Sequence, residues 1–416
     1  MNLDIAVLAV GDELLNGEIP DTNTAAIARL LNACGYRIRE GRTLPDQEEA
    51  IAAALRELTG RHQVVVVTGG LGPTRDDLTA RAAARAFGRQ LVLNDEALAL
   101  IRAFFRDHDL EMDPRNEKQA LLPHKCTVLP NLRGTAPGFL LEQEHCLLLF
   151  FPGVPEEMEA MVEAELLPRL DALSGGHPPL CERILKIFGL SEPKTESLLE
   201  GLALPEGVSI GFGVDFPLVH LKLRATGAAA EELLDRAEVQ VQRRIGDFIV
   251  ARGRETLPQT VARLLSASGL TLSLAESCTG GLVAAWLTDI PGASTFFDRG
   301  AVTYSNQAKN DWLAVSKRIL HDQGAVSETC ARAMATGLRQ STRTDITVAV
   351  TGIAGPDGGS EDKPVGTVFI ALSANDAEQA KGYRFSGSRE QIRKISACMA
   401  LEWIRRYLME RARPKA

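Results

Sequence analysis

The sequence predicts an α/β protein in three parts: an N-terminal three-layer α/β domain with a mostly parallel sheet over residues 1–172, a small α+β module over 178–253, and a C-terminal α/β domain over 255–416. Three observations carry that expectation. In the first part, fully apolar runs such as Gln63-Val64-Val65-Val66-Val67-Thr68 alternate with helical stripes, as strands buried on both faces of a parallel sheet do. In the middle part, Ile184-Leu185-Lys186-Ile187-Phe188 and Val219-His220-Leu221-Lys222-Leu223-Arg224 alternate as half-exposed strands do. In the last part, apolar runs end in small, hydroxylated and glycine residues that turn into helices or loops.

Composition narrows the function classes. A chain of 416 residues with 45% hydrophobic content is long enough for two or three cores. A net charge of −8 and the lack of any basic run argue against a nucleic-acid-binding surface, because phosphate contacts need clustered Lys and Arg. Met1-Asn2-Leu3-Asp4 lacks the basic start of a signal peptide and no apolar segment approaches bilayer length, so a soluble cytoplasmic protein without a membrane partner is expected. Seven cysteines without Cys-x-x-Cys spacing fit reduced thiols better than disulfides or a zinc site.

In chain order, Asp4-Ile5-Ala6-Val7-Leu8-Ala9-Val10 is the first strand. The stripe Ile27, Leu30, Leu31 and Cys34, closed by Gly35, is the first helix, and Ile51, Leu55 and Leu58 mark the next. In a parallel sheet the site lies at the carboxyl ends of the strands. Those ends read Gly11-Asp12-Glu13-Leu14-Leu15-Asn16-Gly17 and Thr68-Gly69-Gly70-Leu71-Gly72-Pro73-Thr74-Arg75-Asp76-Asp77. Gly69, Gly70 and Gly72 let backbone approach a phosphate, while Asp12, Asp76 and Asp77 offer hard oxygen ligands to a divalent cation. Asp76 and Asp77 would also serve as helix N-terminal acids.

Ser174-Gly175-Gly176-His177-Pro178-Pro179 reads as a linker into the middle module, which adds a helix around Glu231 to Val241 and has no Gly-x-x-Gly loop for RNA. Past it, Pro258 and the stripe Val261, Leu264 and Leu265 give a helix ended by Gly269. Leu272-Ser273-Leu274-Ala275-Glu276 is then a strand that turns sharply at Ser277-Cys278-Thr279-Gly280-Gly281 into a helix. A helix N-terminus stabilises an anion, which makes Ser277 a candidate nucleophile there; a plain cap and a tight turn would use the same residues. Cys278 beside it is a second nucleophile type or a small buried thiol. Gly300-Ala301-Val302-Thr303-Tyr304-Ser305-Asn306 runs into another helix with Asn306 as its expected N-cap and Lys309 near the third position, where the helix end and burial both favour a neutral amine. No histidine lies near either stretch, and lysine is a known alternative base for serine. Val348-Ala349-Val350-Thr351-Gly352-Ile353-Ala354-Gly355-Pro356 is a strand with a glycine-rich loop. Ser327 caps a helix through Met334 and Leu338, and a final helix from Glu390 to about Glu410 carries Ile392, Ile395, Met399 and Ile404.

Ala275-Glu276-Ser277-Cys278-Thr279-Gly280-Gly281, Val302-Thr303-Tyr304-Ser305-Asn306-x-x-Lys309 and Thr351-Gly352-Ile353-Ala354-Gly355-Pro356, in that order, resemble the C-terminal domain of the CinA family, the nicotinamide-nucleotide amidases. The resemblance implies hydrolysis of nicotinamide mononucleotide to nicotinic acid mononucleotide and ammonia, with no cofactor. It implies Ser277 as nucleophile, Lys309 as its base and Tyr304 as a relay or orienting group. Thr279, Gly280, Gly281, Thr351, Gly352, Ala354, Gly355 and Arg389 would contact substrate; Ser388 stands where the family usually has an acid before that arginine. The first 172 residues resemble the family's molybdopterin-binding-type domain, through the glycine and aspartate motifs above and through Asn116-Glu117-Lys118-Gln119-Ala120, Gly134-Thr135-Ala136-Pro137-Gly138-Phe139 and Phe151-Pro152-Gly153-Val154-Pro155. That implies nucleotide binding by Gly69, Gly70, Gly72, Asn116, Gly134 and Thr135. It also implies cleavage of ADP-ribose with Mg, Mn or Co held by Asp12, Asp76 and Asp77. The middle module is KH-like by the same resemblance and is expected to act as a spacer or in a homodimer. A nucleotide-binding regulatory or competence-related protein, with one or both sites inactive, is the alternative.

Overall fold

A computed structural model describes residues 3–176 and 180–412. His177, Pro178 and Pro179 of the expected linker lie outside the described residues. The chain divides into two compact units, Met1–Cys181 with Thr226–Ala230, and Glu182–Ala225 with Glu231–Ala416.

The first unit is built on the strands Ile5–Val10 (β1), Ile38–Leu44 (β2), Val64–Thr68 (β3), Leu91–Leu93 (β4), Leu121–Pro123 (β5), Thr127–Leu129 (β6), Gly138–Gln143 (β7) and Cys146–Phe151 (β8). Six of them form one sheet in the order β2-β1-β3-β8-β7-β6, parallel from β2 to β8 and antiparallel beyond. The two-residue period of a strand sends Val64 and Val66 to one face, into a core with Ile27 and Leu31. Val65 and Val67 go to the other, with Ile51, Leu55 and Leu58. All of these side chains are fully buried, each worth roughly 1.5–3 kcal/mol. Helices therefore cover both faces, as the continuous apolar strands predict. The carboxyl ends of β1 and β3 open into the two glycine-containing loops.

The second unit holds two sheets. Leu180–Ile187 (β9), Ser209–Asp215 (β10), Leu218–Thr226 (β11) and Ile249–Arg252 (β12) are ordered β10-β11-β9-β12, with helices Glu192–Leu199 and Ala230–Ile245. Leu272–Glu276 (β13), Phe297–Val302 (β14), Ile346–Gly352 (β15), Thr367–Ala374 (β16) and Glu378–Arg384 (β17) are ordered β14-β13-β15-β16-β17. β13 lies between β14 and β15 and is parallel to both, so their carboxyl ends converge at one edge. Leu272 and Leu274 pack under the C-terminal helix Arg389–Ala412 with Ile392, Leu401 and Ile404. Ala275 and Ala349 face helix Glu328–Thr342 through Met334 and Leu338. Phe188 and Val250 of the middle module join the first of these cores. Buried Glu402 and Arg405 form a bidentate pair of 2.6 and 2.9 Å, and Arg405 also donates to the Asp247 carbonyl at 3.1 Å. Helix Leu257–Ser268 has the expected Gly269 as its left-handed C-cap, and its N-cap Thr256 forms a capping box with Gln259.

Candidate active site

The edge where β13, β14 and β15 end brings the three C-terminal motifs together. Past Glu276 the chain turns through 277–281 into helix Leu282–Thr288, with Gly280 and Gly281 at φ of 62° and 88°, a region other residues rarely adopt. The Ser277 N–H donates to the Val350 carbonyl at 2.9 Å and the Gly280 N–H to the Ser277 carbonyl at 3.0 Å, which fixes the turn against β15. On the other side, β14 leads into helix Asn306–Leu313, whose N-cap is Ser305 rather than Asn306: the Ser305 hydroxyl accepts from the Ala308 N–H at 3.0 Å. Lys309 thus occupies the fourth helical position. Its Nζ lies 3.0 Å from Ser277 Oγ and donates to the Thr303 carbonyl at 2.7 Å and the Tyr304 carbonyl at 3.4 Å. Lys309 is 1% exposed and Ser277 7%. Among the described residues no carboxylate pairs with this lysine. Burial holds its ammonium below the ordinary 10.5, against a smaller opposing effect of the Cys330 and Cys278 thiols. Gly337 lets this helix seat closely, because a Cβ there would stand 1.8 Å from the Leu313 carbonyl oxygen.

The helix that begins after Gly281 does not offer its N-terminus to an anion, as the sequence suggests. Glu276, 1% exposed, reaches back and accepts from the N–H groups of Val283 at 3.2 Å and Ala284 at 2.8 Å. Gly281 at the N-cap has no side chain to do this, so the carboxylate caps the helix from inside the fold. Sequence reasoning passed over Glu276, although a charged residue closing an apolar strand beside a glycine cap is the available signal. Glu276→Ala leaves two buried donors unpaired, and we expect it to cost roughly 2–4 kcal/mol. Glu276→Gln, which keeps one accepting oxygen, should cost less. Urea midpoints at unchanged m value measure both. Cys278 is buried and its thiol is pushed up to about 12, first by burial and then by the Glu276 charge, so it is no thiolate at neutral pH.

Tyr304 is 59% exposed, and its hydroxyl accepts from Arg389 Nη2 at 2.9 Å. Its side chain therefore meets Arg389 at the rim, and only its backbone carbonyl touches Lys309. Arg389 Nη1 donates to the Gly355 carbonyl at 2.6 Å. One helical turn on, Arg393 holds the Thr279 carbonyl through Nε at 3.3 Å and Nη2 at 2.8 Å. Two arginines on one helix face thus grip the first and third motifs. In the sequence the only sign of Arg393 is its four-residue spacing from Arg389, which puts both on one helix face. The Thr351 hydroxyl donates to the Ala325 carbonyl at 2.8 Å, Gly352 ends β15, and Ala354 is buried in the core, so these three shape the loop rather than present side chains. The buried hydroxyls of Thr279 and Thr303 meet no hydrogen-bond partner among the described residues.

In the first unit, a cleft of about 460 Å³ opens at the ends of β1 and β3. Gly69, Gly70, Gly72, Thr135, Asp76 and Asp77 line it. Asp12, Asn116 and Gly134 do not. Asp12 instead exchanges hydrogen bonds with Asp46, its Oδ1 accepting from the Asp46 N–H at 3.3 Å and its N–H donating to Asp46 Oδ2 at 3.0 Å. Asn116 acts one step removed: it donates to Gln119 at 3.1 Å, and Gln119 donates to the Thr135 hydroxyl at 3.1 Å. Gly134 makes room for Glu157, whose carboxyl a Cβ would strike. Asp76 and Asp77 both accept from the Thr74 hydroxyl, and Asp77 also from the Thr74 N–H at 2.8 Å, so they close their own loop. They precede helix Thr79–Ala86 rather than lie in its first turn. Burial pushes the Asp46 carboxyl up, and the charges of Asp12, Glu13 and Asp76 add to this against the Asp12 N–H bond. Acidity does gather here. Among the described residues no group of three or more His, Cys, Asp or Glu is arranged to hold a metal ion; of the expected trio Asp76 and Asp77 reach the cleft and Asp12 does not.

Fold and site together define a multi-module α/β protein whose C-terminal sheet carries a buried serine–lysine pair at its strand ends. Residues 254–408 match the CinA C-terminal domain, 182–251 the damage-inducible protein CinA KH domain and 6–172 the probable molybdopterin binding domain. A CinA-like protein of Syntrophotalea carbinolica is 61% identical over 408 residues, 98% of this chain and 99% of that protein. One of Geobacter sulfurreducens is 49% identical over 411 residues, 98% of this chain and 100% of that protein. Among solved structures, a competence/damage inducible protein of Agrobacterium tumefaciens is 43% identical, covering 36% of this chain and 93% of its own, at a TM-score of 0.36. The chain belongs to the CinA family. Among the described residues, no helix is long and apolar enough to cross a membrane.

Proposed function

We propose that the C-terminal domain hydrolyses the carboxamide of nicotinamide mononucleotide, giving nicotinic acid mononucleotide and ammonia. The carrying observation is the 3.0 Å approach of Lys309 Nζ to Ser277 Oγ in a buried setting that disfavours the ammonium. With hydrogens of the amine engaged by the Thr303 and Tyr304 carbonyls, the lone pair of neutral Lys309 serves the serine hydroxyl. Lys309 takes that proton as Oγ attacks the carboxamide carbon. It returns the proton to nitrogen as the C–N bond breaks and ammonia leaves. Water then adds to the acyl ester with Lys309 again as base, which releases the carboxylate and restores Ser277. Arg389 and Arg393, gripping the loops around this point, hold the turn and the rim in register. Ammonia release by the purified chain, with and without chelator, tests the reading.

For the first unit we propose binding of a nucleotide diphosphate, with ADP-ribose cleaved to AMP and ribose 5-phosphate, in the cleft beside Gly69 and Gly70. Its support is a glycine-lined strand-end cleft with acidic side chains. Asp77→Ala breaks the loop closure on Thr74 and is expected to abolish cleavage while ammonia release by the other unit stays within about twofold, since separate domains do not share catalytic groups. Product chromatography with Mg, Mn or Co added in turn reads this. No cleavage with any of the three favours a module that only binds, and loss of both activities contradicts independent sites.

A further inference from the structure

Within the second unit, the middle module and the C-terminal domain form a half-open cavity of about 430 Å³ that shares no lining residue with the Ser277 centre. Its walls are apolar and aromatic: Phe216 and Leu218 at the tip of the β10–β11 hairpin, Leu257, and Trp286 with Ile290 at the far end of the helix that follows the nucleophile turn. The Trp286 indole N–H meets no protein acceptor among the described residues. Four charged side chains also line it, and their placement differs by sign. Lys186 and Lys394 are half-buried, whereas Asp215 and Asp289 are exposed, where water screens them. Lys394 pairs only with Glu390, itself 73% exposed, at 3.0 Å, and Lys186 has no ion-pair partner among the described residues. The site therefore combines aromatic surface, an indole donor and two lysines, of which Lys186 has no ion-pair partner among the described residues and Lys394 is held by Glu390 at its outer edge. A site of this size, mostly apolar with a few convergent polar groups, is how proteins hold small ligands.

We propose that this cavity binds a small planar aromatic anion, its ring against Trp286 and Phe216 and its anionic group on Lys186 and Lys394. The proposal is independent of the amidase reading. Trp286 sits on the helix that starts at the Ser277 turn, and Lys394 follows Arg393, which holds the Thr279 carbonyl. An occupant touches the two elements that position the nucleophile.

The test uses the full chain labelled with 5-fluorotryptophan, which gives one fluorine signal for each of Trp286, Trp312 and Trp403, the first assigned through Trp286→Phe. The probes are 8-anilinonaphthalene-1-sulfonate and, as a carboxylate, nicotinate. Saturable movement of the Trp286 signal, with Trp312 and Trp403 unmoved, is expected for both. Lys186→Glu should weaken binding by about tenfold or more, while Lys186→Arg keeps it, because the attraction is to the charge. No movement of the Trp286 signal overturns the proposal. So does movement by the naphthalene probe alone with equal affinity in Lys186→Glu, since that marks a greasy crevice rather than an anion site.

Discussion

Ser277→Ala is expected to lower ammonia release from nicotinamide mononucleotide by about ten-thousand-fold or more, the scale on which hydrolases lose rate when the nucleophile of a catalytic unit is removed. No other side chain takes its place. Cys278 is the adjacent nucleophilic type, but its buried thiol stays protonated, and Cys278→Ser is expected to leave the rate within a few-fold of the parent. Because the two changes are neighbours of similar size, comparing them separates loss of the hydroxyl from disturbance of the turn. Full activity in Ser277→Ala rules out the assignment.

Lys309→Arg should cost about a thousand-fold, since a guanidinium cannot shed its proton to act as base and general-base help is worth roughly a hundred- to ten-thousand-fold. Lys309→Met removes the base while filling similar space and should be as damaging. In the parent, kcat/KM should rise with pH to a plateau, with a midpoint below the ordinary lysine value of 10.5, because only the neutral amine accepts the serine proton. The same shift has a stability consequence with a definite sign. Between the lowered folded value and 10.5 the unfolded chain binds more protons than the folded one, so stability rises with pH across that window. The melting temperature of the parent relative to Lys309→Met should therefore climb as pH is raised through it. A flat difference would mean that Lys309 is charged in the folded protein.

What the sequence made legible was the periodicity and the strand ends. Apolar runs of the Val64 to Val67 kind announce a sheet covered on both faces, and the Ser277 and Lys309 stretches could be paired because each closes a strand of one parallel set. What it hid were contacts set by tertiary approach. Glu276 looked like part of a motif and is a buried helix cap, a role decided by which N–H groups lie within its reach. Ser305 displaced Asn306 as N-cap because the preceding residue has the extended backbone that a cap requires. Tyr304, read as part of the catalytic centre, points to the rim and Arg389, since alternation along the segment leaving β14 turns its side chain away from Lys309. Asp12, Asp76 and Asp77 share a sheet end by topology, but Asp46 and Thr74 compete for their oxygens, a competition that spacing alone does not reveal.

On the proposed reading, the buried serine–lysine pair hydrolyses a nucleotide carboxamide without help from a metal. The most direct measurement of this is ammonia release by the full chain from nicotinamide mononucleotide in the presence of EDTA, with nicotinic acid mononucleotide quantified in the same sample. One ammonia per acid formed is expected, at a rate that chelator leaves unchanged. No ammonia above the buffer blank, or release that EDTA abolishes, would contradict it.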